Sequence, residues 1–306
     1  MVRHFLRDDD ITPAEQRQII ARAIELKADR FAARPLEGPQ TVALIFDKTS
    51  TRTRVSFSVG VAELGGTPMV IQAGESQLGA KESIADTARV LERMVSAIVW
   101  RTFDQKNVEE MAAGTTVPVV NSLTDDFHPC QILADLQTIT EHKGDPAGLT
   151  VAFVGDGSSN MANSYLVGCA MAGMHVRVAT PAAYQPLADA LTSAQRIAED
   201  TGGSVLVTND PAEAVAGADV VITDTWVSMG QEAEKAARVA TFGPYRVTPE
   251  LFAQAKSDAI FMHCLPAYRE YEVDAAVIDG PQSVIWDEAE NRLHAQKALL
   301  EFLLSA

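Results

Sequence analysis

Cysteine is scarce in this chain. Only Cys130, Cys169 and Cys264 occur in 306 residues, and no two of them form a CxxC pair. This odd and widely spaced set indicates neither a disulfide framework nor a zinc cluster. The usage fits a protein of a reducing compartment, so we expect a cytoplasmic location and no bound metal.

Long apolar runs and an excess of positive charge are also missing. No stretch of roughly eighteen apolar residues occurs, and the first residues, MVRHFLRDDD, lack the apolar core of a secretory leader. Lysine and arginine number 25 against 41 aspartates and glutamates, which gives a net charge of −16. Because a surface of that sign repels nucleic-acid backbones and anionic lipids, we expect neither as a partner. An anionic ligand would need local positive charge.

The composition that is present is that of a folded protein of two domains. Hydrophobic residues make up 47% of the chain and charged residues 22%, as in globular proteins. Apolar runs alternate with amphipathic segments, which predicts an α/β protein of two domains, each a mostly parallel sheet flanked by helices. The Gly-, Asp- and Pro-containing segment 142–149 is the predicted linker. The predicted domains are 1–145 and 146–287, with a helix at 288–306 that packs back on the first.

The predicted strands form two series. The first domain has strands at 41–46, 69–72, 96–100 and 117–121, with helices that begin near Thr12, Arg52 and Cys130. The second domain has strands at 151–156, 175–180, 204–208, 219–224 and 259–264. Five strands predict a doubly wound sheet, in which ligands bind where parallel strands end.

The segment after the first strand is the strongest candidate for binding an anion. It reads Asp47-Lys48-Thr49-Ser50-Thr51-Arg52-Thr53-Arg54 and leads from a buried strand into a helix. Hydroxyls, guanidiniums and free helix N–H groups are the donors that a phosphate dianion needs. Capping a helix requires a single serine or threonine, so anion binding is favoured over a plain cap. The motif GxxxxGK[ST] is missing, so the segment does not indicate ATP or GTP.

Other strand ends carry residues whose role the sequence leaves open. Arg101 and His128 follow strands of the first domain, and each is either a ligand-binding or an ordinary structural or surface residue. The run 155–160, GDGSSN, resembles the dinucleotide fingerprint GxGxxG, but Asn160 replaces the third glycine. Thr180 lies at the end of the next strand, where the fingerprint requires an acidic residue. NAD binding is therefore weakly supported. Asn160 is either a helix cap or an amide that binds a carboxylate.

Two loops that end later strands are also candidates. Asp224 is followed by a mixed polar and apolar segment, 225–230, which is either a surface loop or one that closes over an amino group. Cys264 lies in the run HCLP at 263–266. No partner that would make its thiol a nucleophile can be assigned from the sequence.

Four of these segments together resemble the aspartate/ornithine carbamoyltransferase family. They are STRTR at 50–54, HPCQ at 128–131, DTWVSMG at 224–230 and HCLP at 263–266, in the family's order. The first two are shared by carbamoyltransferases generally, and the last two are typical of the ornithine branch. The resemblance implies the family's fold of two α/β domains. It also implies transfer of the carbamoyl group of carbamoyl phosphate to the δ-amine of L-ornithine, giving L-citrulline and phosphate in arginine biosynthesis.

The resemblance further implies roles for individual residues. Those that would bind carbamoyl phosphate are Ser50, Thr51, Arg52, Thr53, Gln77, Arg101, His128, Pro129, Cys130, Gln131, Cys264, Leu265 and Arg292. Those that would bind ornithine are Asn160, Asp224, Ser228 and Met229. Those that would take part in catalysis are Arg101, His128, Asp224 and Cys264. The chain departs from the family at Ser159, where a second asparagine is common, and at Glu270, where glycine is expected.

The resemblance implies no metal and no organic cofactor. It implies a homotrimer, or a multiple of one, with active sites shared between subunits and Gln77 contributed by the neighbour. Alternatives are a carbamoyltransferase with another acceptor, such as putrescine or N-acetylornithine, a nucleotide-dependent oxidoreductase based on the run GDGSSN, and a non-catalytic module that binds an amino acid or anion. A role of Asp224 in binding a free α-amino group disfavours the other acceptors.

Overall fold

The computed structural model describes residues 2–72, 82–227 and 232–305. Contacts divide the chain into two compact units. Unit 1 comprises Met1–Gln137 and Glu290–Ala306, and unit 2 comprises Thr138–Ala289. The boundary between residues 145 and 146 stays a prediction.

Unit 1 is built on a four-stranded parallel sheet. Its strands are β1 (Thr41–Phe46), β2 (Thr67–Gln72), β3 (Ala97–Arg101) and β4 (Val119–Leu123), in the order β2-β1-β3-β4. Its helices are α1 (Pro13–Ala28), α2 (Thr51–Glu63), α3 (Ile84–Leu91), α4 (Gln105–Ala113) and the first part of α5 (Pro129–Lys143). The central strands β1 and β3 are buried almost throughout, which explains their continuous apolar sequences. The strand order reverses between them.

Unit 2 is built on a five-stranded parallel sheet. Its strands are β5 (Thr150–Val154), β6 (His175–Ala179), β7 (Ser204–Thr208), β8 (Val220–Ile222) and β9 (Ile260–Met262), in the order β7-β6-β5-β8-β9. Its helices are α6 (Asn160–Met171), α7 (Ala188–Thr201), α8 (Pro211–Val215), α9 (Lys235–Phe242), α10 (Pro249–Phe252) and α11 (Ala275–Ile278). Here the order reverses between β5 and β8, the point at which doubly wound sheets bind ligands.

The last helix, α12 (Ile285–Leu304), contributes most of its length to unit 1. Its Leu299 and Leu300 are fully buried. Lys297 Nζ donates to Glu63 Oε2 of α2 at 2.8 Å, and Arg22 of α1 pairs with Glu301 at 2.8 Å. Polar groups thus fix the helix on α1 and α2 where its apolar face is buried. Neither this helix nor any other in the described ranges is long and apolar enough to cross a membrane.

The predicted fold class is confirmed, with two parallel sheets flanked by helices. The strand predicted at 117–121 begins two residues later, because Pro118 has no N–H for the ladder, although its carbonyl accepts from Ile98 N at 2.9 Å. β4 then continues to Leu123, whose carbonyl accepts from Thr102 N at 3.0 Å. Arg101 is the last residue of β3, opposite Phe46 and Leu123, rather than a residue after the strand.

Candidate active site

The turn between β1 and α2 presents a helix N-terminus lined with hydroxyls. Ser50 is the N-cap of α2, and its side chain accepts from Thr53 N at 3.3 Å. Thr51 is exposed and Arg52 is half-buried, whereas Thr53 is buried. The first N–H groups of a helix have no partner within the helix, and its dipole favours negative charge there. This turn therefore has the donors that the sequence predicted for an anion.

Arg101 ends β3 beside this turn. It pairs with Phe46, the last residue of β1, and its carbonyl accepts from Asp47 N at 2.9 Å. The Arg101 side chain is buried, with 8% of the residue exposed. A guanidinium held at the carboxyl end of a central strand, next to a helix N-terminus, places a permanent positive charge where the strand order reverses.

The HPCQ segment begins α5. Pro129 is the first residue of the helix, and His128, Cys130 and Gln131 are all buried. Cys130 Sγ–H donates to the carbonyl of Asn121 at 3.3 Å. Burial raises the pKa of the Cys130 thiol to about 12, so this thiol is a packing group and not a nucleophile at neutral pH.

Arg292, on α12, joins the two segments. Its Nη2 donates to Thr53 Oγ1 at 2.6 Å, and its Nη1 donates to Gln131 Oε1. Gln131 Nε2 in turn donates to Asp135 Oδ1 at 2.8 Å, so both ends of this amide are oriented. Only 2% of Arg292 is exposed. Residues that are remote in sequence thus form one buried polar cluster, in which Arg292 carries the positive charge.

His128 is neutral in this cluster. Burial lowers its pKa well below the ordinary value, and the charges of Arg292 and Arg101 lower it further. A neutral imidazole has one N–H to donate and does not repel the guanidiniums. It can stabilise an oxygen that gains negative charge without itself changing protonation state.

The turn after β5 has the geometry of a glycine-rich turn, but the side chain of Thr180 packs against it where a nucleotide would approach. Gly155 has φ +144, which side chains rarely adopt, and a Cβ on Gly157 would lie 2.7 Å from Thr180 Cγ2. Thr180 Oγ1 accepts from Gly157 N at 2.9 Å and donates to the carbonyl of Tyr184 at 2.8 Å. Thr180 thus packs directly on the turn and offers no acidic group to a ribose. The glycines serve internal packing, and this geometry argues against the dinucleotide alternative.

Asn160 begins α6, directly after that turn. The N-cap is Ser159, whose hydroxyl accepts from Ala162 N at 3.2 Å. The serine that departs from the family pattern therefore caps the helix. Asn160 is half-buried in the first turn. The interpretation of Asn160 as the cap is wrong, and an amide that binds a carboxylate remains a proposal.

Asp224 and Cys264 lie together after β8 and β9. The thiol of Cys264 donates to Asp224 Oδ1 at 3.3 Å, and Thr225 N donates to the same oxygen at 2.7 Å. Burial raises the pKa of Asp224, although the nearby His263 opposes that shift. The carboxylate is therefore kept close to a thiol and to the N–H group of Thr225 in a site that disfavours its charge.

His263 fixes the conformation of the HCLP segment. Its Nδ1 accepts from Leu265 N at 2.9 Å, and its Nε2 lies 3.3 Å from Glu272 Oε1. Leu265 has φ +58, and the Leu265–Pro266 peptide bond is cis. The side-chain atoms of Asp224, His263 and Cys264 lie within 4.8 Å of one another, close enough to hold a metal ion. The hydrogen bonds of both imidazole nitrogens account for this histidine without one.

Three predicted site residues, Gln77, Ser228 and Met229, lie outside the described residues. The other departure from the family pattern, Glu270, has φ +69, the left-handed conformation that glycine would favour. Asp156 and Arg238, for which the sequence predicts no role, form a buried ion pair in unit 2. They are 82 residues apart, and neither belongs to a motif that gave a signal for such a pair.

Comparison with known proteins gives one family for both parts of the chain. Residues 3–141 match the profile described as "Aspartate/ornithine carbamoyltransferase, carbamoyl-P binding domain". Residues 147–303 match the profile "Aspartate/ornithine carbamoyltransferase, Asp/Orn binding domain". The chain belongs to the aspartate/ornithine carbamoyltransferase family.

Full-length relatives carry the name of the ornithine branch. An ornithine carbamoyltransferase of Clavibacter sepedonicus is 69% identical over 304 residues, which cover 99% of each chain. The structure of ornithine carbamoyltransferase from Pyrococcus furiosus has a TM-score of 0.95 at 47% identity, covering 99% of this chain and 97% of that one. The enzyme from Thermus thermophilus has a TM-score of 0.89 at 38% identity, covering 99% of each. The predicted resemblance is confirmed.

Proposed function

We propose that this protein is an ornithine carbamoyltransferase, which transfers the carbamoyl group of carbamoyl phosphate to the δ-amine of L-ornithine. The observation that carries the proposal is the contact of Arg292 with both Thr53 and Gln131. It joins the two segments that carbamoyltransferases share, STRTR and HPCQ, to the last helix in one buried cluster. The naming of relatives at 56–69% identity supports the same acceptor.

Unit 1 binds carbamoyl phosphate in this proposal. The phosphate lies at the N-terminus of α2, where Ser50, Thr51, Arg52 and Thr53 supply hydroxyl, N–H and guanidinium donors. Arg101 adds a second, buried guanidinium. Gln77 would complete the site from a neighbouring subunit. The helix N–H groups and the buried side chains of Thr53 and Arg101 are held in place by the fold, so these donors require little ordering when a dianion binds.

The carbamoyl group is activated by oxygen-directed donors. When the amine attacks, the carbamoyl oxygen gains negative charge, and Thr53, Arg101 and the neutral His128 are its proposed donors. Each donor of this kind lowers the activation free energy by on the order of 2.7–4 kcal/mol when it is positioned in advance. Gln131, oriented by Arg292 and Asp135, binds the carbamoyl amide. The amine nitrogen forms the C–N bond first, which gives a tetrahedral intermediate. The C–O bond to phosphate then breaks, and phosphate leaves with the electron pair and takes up the proton that the attacking nitrogen loses.

Unit 2 binds ornithine in this proposal. Asn160, Ser228 and Met229 hold the amino-acid end, and Asp224 binds the α-ammonium group. An alkyl ammonium has a pKa of about 10.4, so the δ-amine must lose a proton before it can attack. Asp224 and Cys264, whose carboxylate and thiol are in contact, assist that loss. Cys264 and Leu265 also bind the carbamoyl group of the donor in this proposal. A carboxylate with a raised pKa is a better proton acceptor than an ordinary aspartate.

An acceptor panel tests the function. Purified protein is assayed with carbamoyl phosphate and, in parallel, L-ornithine, putrescine, N-acetylornithine or L-aspartate. We expect citrulline from ornithine and a kcat/KM at least about 10²-fold lower with each other acceptor. Putrescine and N-acetylornithine lack the free α-ammonium group that pairs with the half-buried carboxylate of Asp224. L-aspartate keeps that group but has no δ-amine to attack the carbamoyl carbon. Faster turnover of putrescine or N-acetylornithine would make that compound the substrate.

The quaternary structure proposed with this function is a homotrimer or a multiple of one. The resemblance implies it, and three apolar side chains of unit 1 support an interface, since Val55, Met69 and Met94 are 56%, 49% and 71% exposed. Light scattering after size exclusion should give a mass three times that of the chain, or a multiple of that. A monomer would contradict the shared site. The cytoplasmic location stays a prediction.

A further inference from the structure

The strongest feature of unit 2 outside the residues assigned above is the side chain of Arg238, on α9. Only 4% of Arg238 is exposed, and its Nη2 donates to the carboxylate of Asp156, which is 6% exposed. The guanidinium carbon lies 5.1 Å from the ring centre of Tyr184 and 5.3 Å from that of Phe242. Glu234 Oε2 lies 3.6 Å from Nη1 at the exposed end. These ionic and aromatic contacts together fix the position of the guanidinium.

Asp156 connects the guanidinium to the turn that precedes Asn160. Its Oδ1 accepts from Ser158 N at 2.9 Å and from Ser158 Oγ at 2.6 Å, while its Oδ2 accepts from Arg238. The carboxylate therefore organises the turn between β5 and α6 with one oxygen and is fixed by Arg238 with the other. The position of the α6 N-terminus, and of Asn160 with it, depends on this pair.

The same guanidinium also holds the segment that carries Asp224. Arg238 Nε donates to the carbonyl of Trp226, two residues beyond Asp224. The Trp226 side chain is buried and stacks on Phe242, with ring centres 6.0 Å apart. One side chain thus connects the two strand ends, after β5 and after β8, that flank the reversal of the sheet order.

We propose that Arg238, through Asp156, is the positioning residue of the ornithine site, setting the distance between Asn160 and Asp224. The inference rests on the proposed function, since it concerns the acceptor of that reaction. A buried ion pair is weak evidence for stability, because apolar residues of similar volume often stabilise a fold equally well. A pair that ties two ligand-bearing segments together instead fixes the geometry that an α-amino acid requires.

Steady-state kinetics test the inference. The variants are Arg238→Gln, Arg238→Lys and Asp156→Asn, with Arg246→Gln as matched control. Arg246 also pairs with acidic residues in unit 2, Asp274 and Glu270, but holds neither segment. We expect the KM for ornithine to rise about tenfold or more in all three variants, while the KM for carbamoyl phosphate stays within about twofold. Arg238→Lys should not rescue, since an ammonium cannot contact Asp156 and the Trp226 carbonyl as a planar fork does.

The double variant Arg238→Gln/Asp156→Asn should show an ornithine KM close to that of either single variant, because the two residues act as one unit. A role in stability alone would lower kcat and the melting temperature and leave both KM values unchanged, and that result would overturn the inference. Unfolding of all three single variants would do the same. If the wild type makes no citrulline, the proposed function itself fails. If the wild type is active and the variants keep its ornithine KM, only this inference fails.

Discussion

The guanidinium of Arg292 lies 2.6 Å from the hydroxyl of Thr53, a residue 239 positions earlier in the chain. The contact means that the helix N-terminus after β1 and the last helix of the protein form one site. Arg292 also orients Gln131 and, with Arg101, keeps His128 neutral. Removing this side chain should therefore affect the donor half of the reaction more than the acceptor half.

The variant Arg292→Gln tests that expectation. We expect kcat/KM for carbamoyl phosphate to fall about 10²-fold, the effect of losing a preorganised charged donor, with a much smaller change in the KM for ornithine. Arg22→Gln is the control, because Arg22 also contacts α12 but at a partly exposed pair with Glu301. That control should cost less than about 1 kcal/mol of stability and keep its kinetics. Equal effects on both substrates in Arg292→Gln would contradict the account.

Variants of Arg52 and Arg54 test whether carbamoyl phosphate binds at the turn between β1 and α2 or is attracted by surface charge in general. Arg52 is half-buried at the start of α2, whereas Arg54 is exposed two residues later. Calorimetric titration with carbamoyl phosphate should show at least about tenfold weaker binding for Arg52→Ala. Arg54→Ala should bind within about twofold of the wild type, because exposed charges are screened. Both variants should keep the wild-type circular dichroism. Normal binding by Arg52→Ala would remove this turn from the donor site.

Asp224→Asn should uncouple stability from activity. Burial raises the pKa of Asp224 in the folded protein, so its ionisation disfavours folding at neutral pH, and this penalty disappears as the pH falls below the raised pKa. An amide keeps an oxygen for Thr225 N and Cys264 and carries no charge. We expect a higher melting temperature at pH 7 and a kcat lower by about 10²-fold or more. A lower melting temperature would show that the charge is stabilising.

His128 should contribute to acid sensitivity. Its pKa is lowered in the folded protein, so its contribution to stability is complete above about pH 6.5 and is lost as the pH falls, since the unfolded chain takes up the proton first. Urea titrations between pH 7 and pH 5 give the slope of the free energy of unfolding against pH. In His128→Gln this slope should be smaller by up to about 1.4 kcal/mol per pH unit. His4, whose pKa burial also lowers, is the control. His4→Gln should change the slope less and leave kcat unchanged. An unaltered slope in His128→Gln would mean that the pKa of His128 is not lowered in the folded protein.

The cysteines should differ sharply in reactivity. Cys130 and Cys169 are buried, and Cys264 is half-buried. Burial raises the pKa of Cys130 to about 12, so its thiolate is rare at pH 8. Mass spectrometry after brief exposure of native protein to iodoacetamide should find the label on Cys264, and Cys264→Ser should remove it. Rapid labelling of Cys130 would contradict the burial of this thiol at the start of α5.

Local sequence signals predict the parallel strands and several helix starts, whereas anion binding at residues 47–54 stays a prediction. Thr12 and Ser50 cap their helices as their residue types predict, and the continuous apolar runs of β1 and β5 reflect strands buried on both faces. Contacts between distant segments gave no such signal. The family resemblance alone implies a role for Arg292, and nothing near Arg238 in the chain indicates its contact with Asp156. Short motifs record local geometry, whereas ion pairs between remote segments depend on how the strands are ordered.

The most direct test of the central claim follows the carbamoyl carbon. Carbamoyl phosphate labelled with 13C is mixed with L-ornithine and the wild-type protein, and the products are observed by NMR. The account predicts that the label appears in the δ-ureido carbon of citrulline, with one phosphate released for each citrulline formed. Release of phosphate with the label in carbamate or bicarbonate would contradict it. Attachment of the labelled carbamoyl group to the α-nitrogen of ornithine would also contradict it.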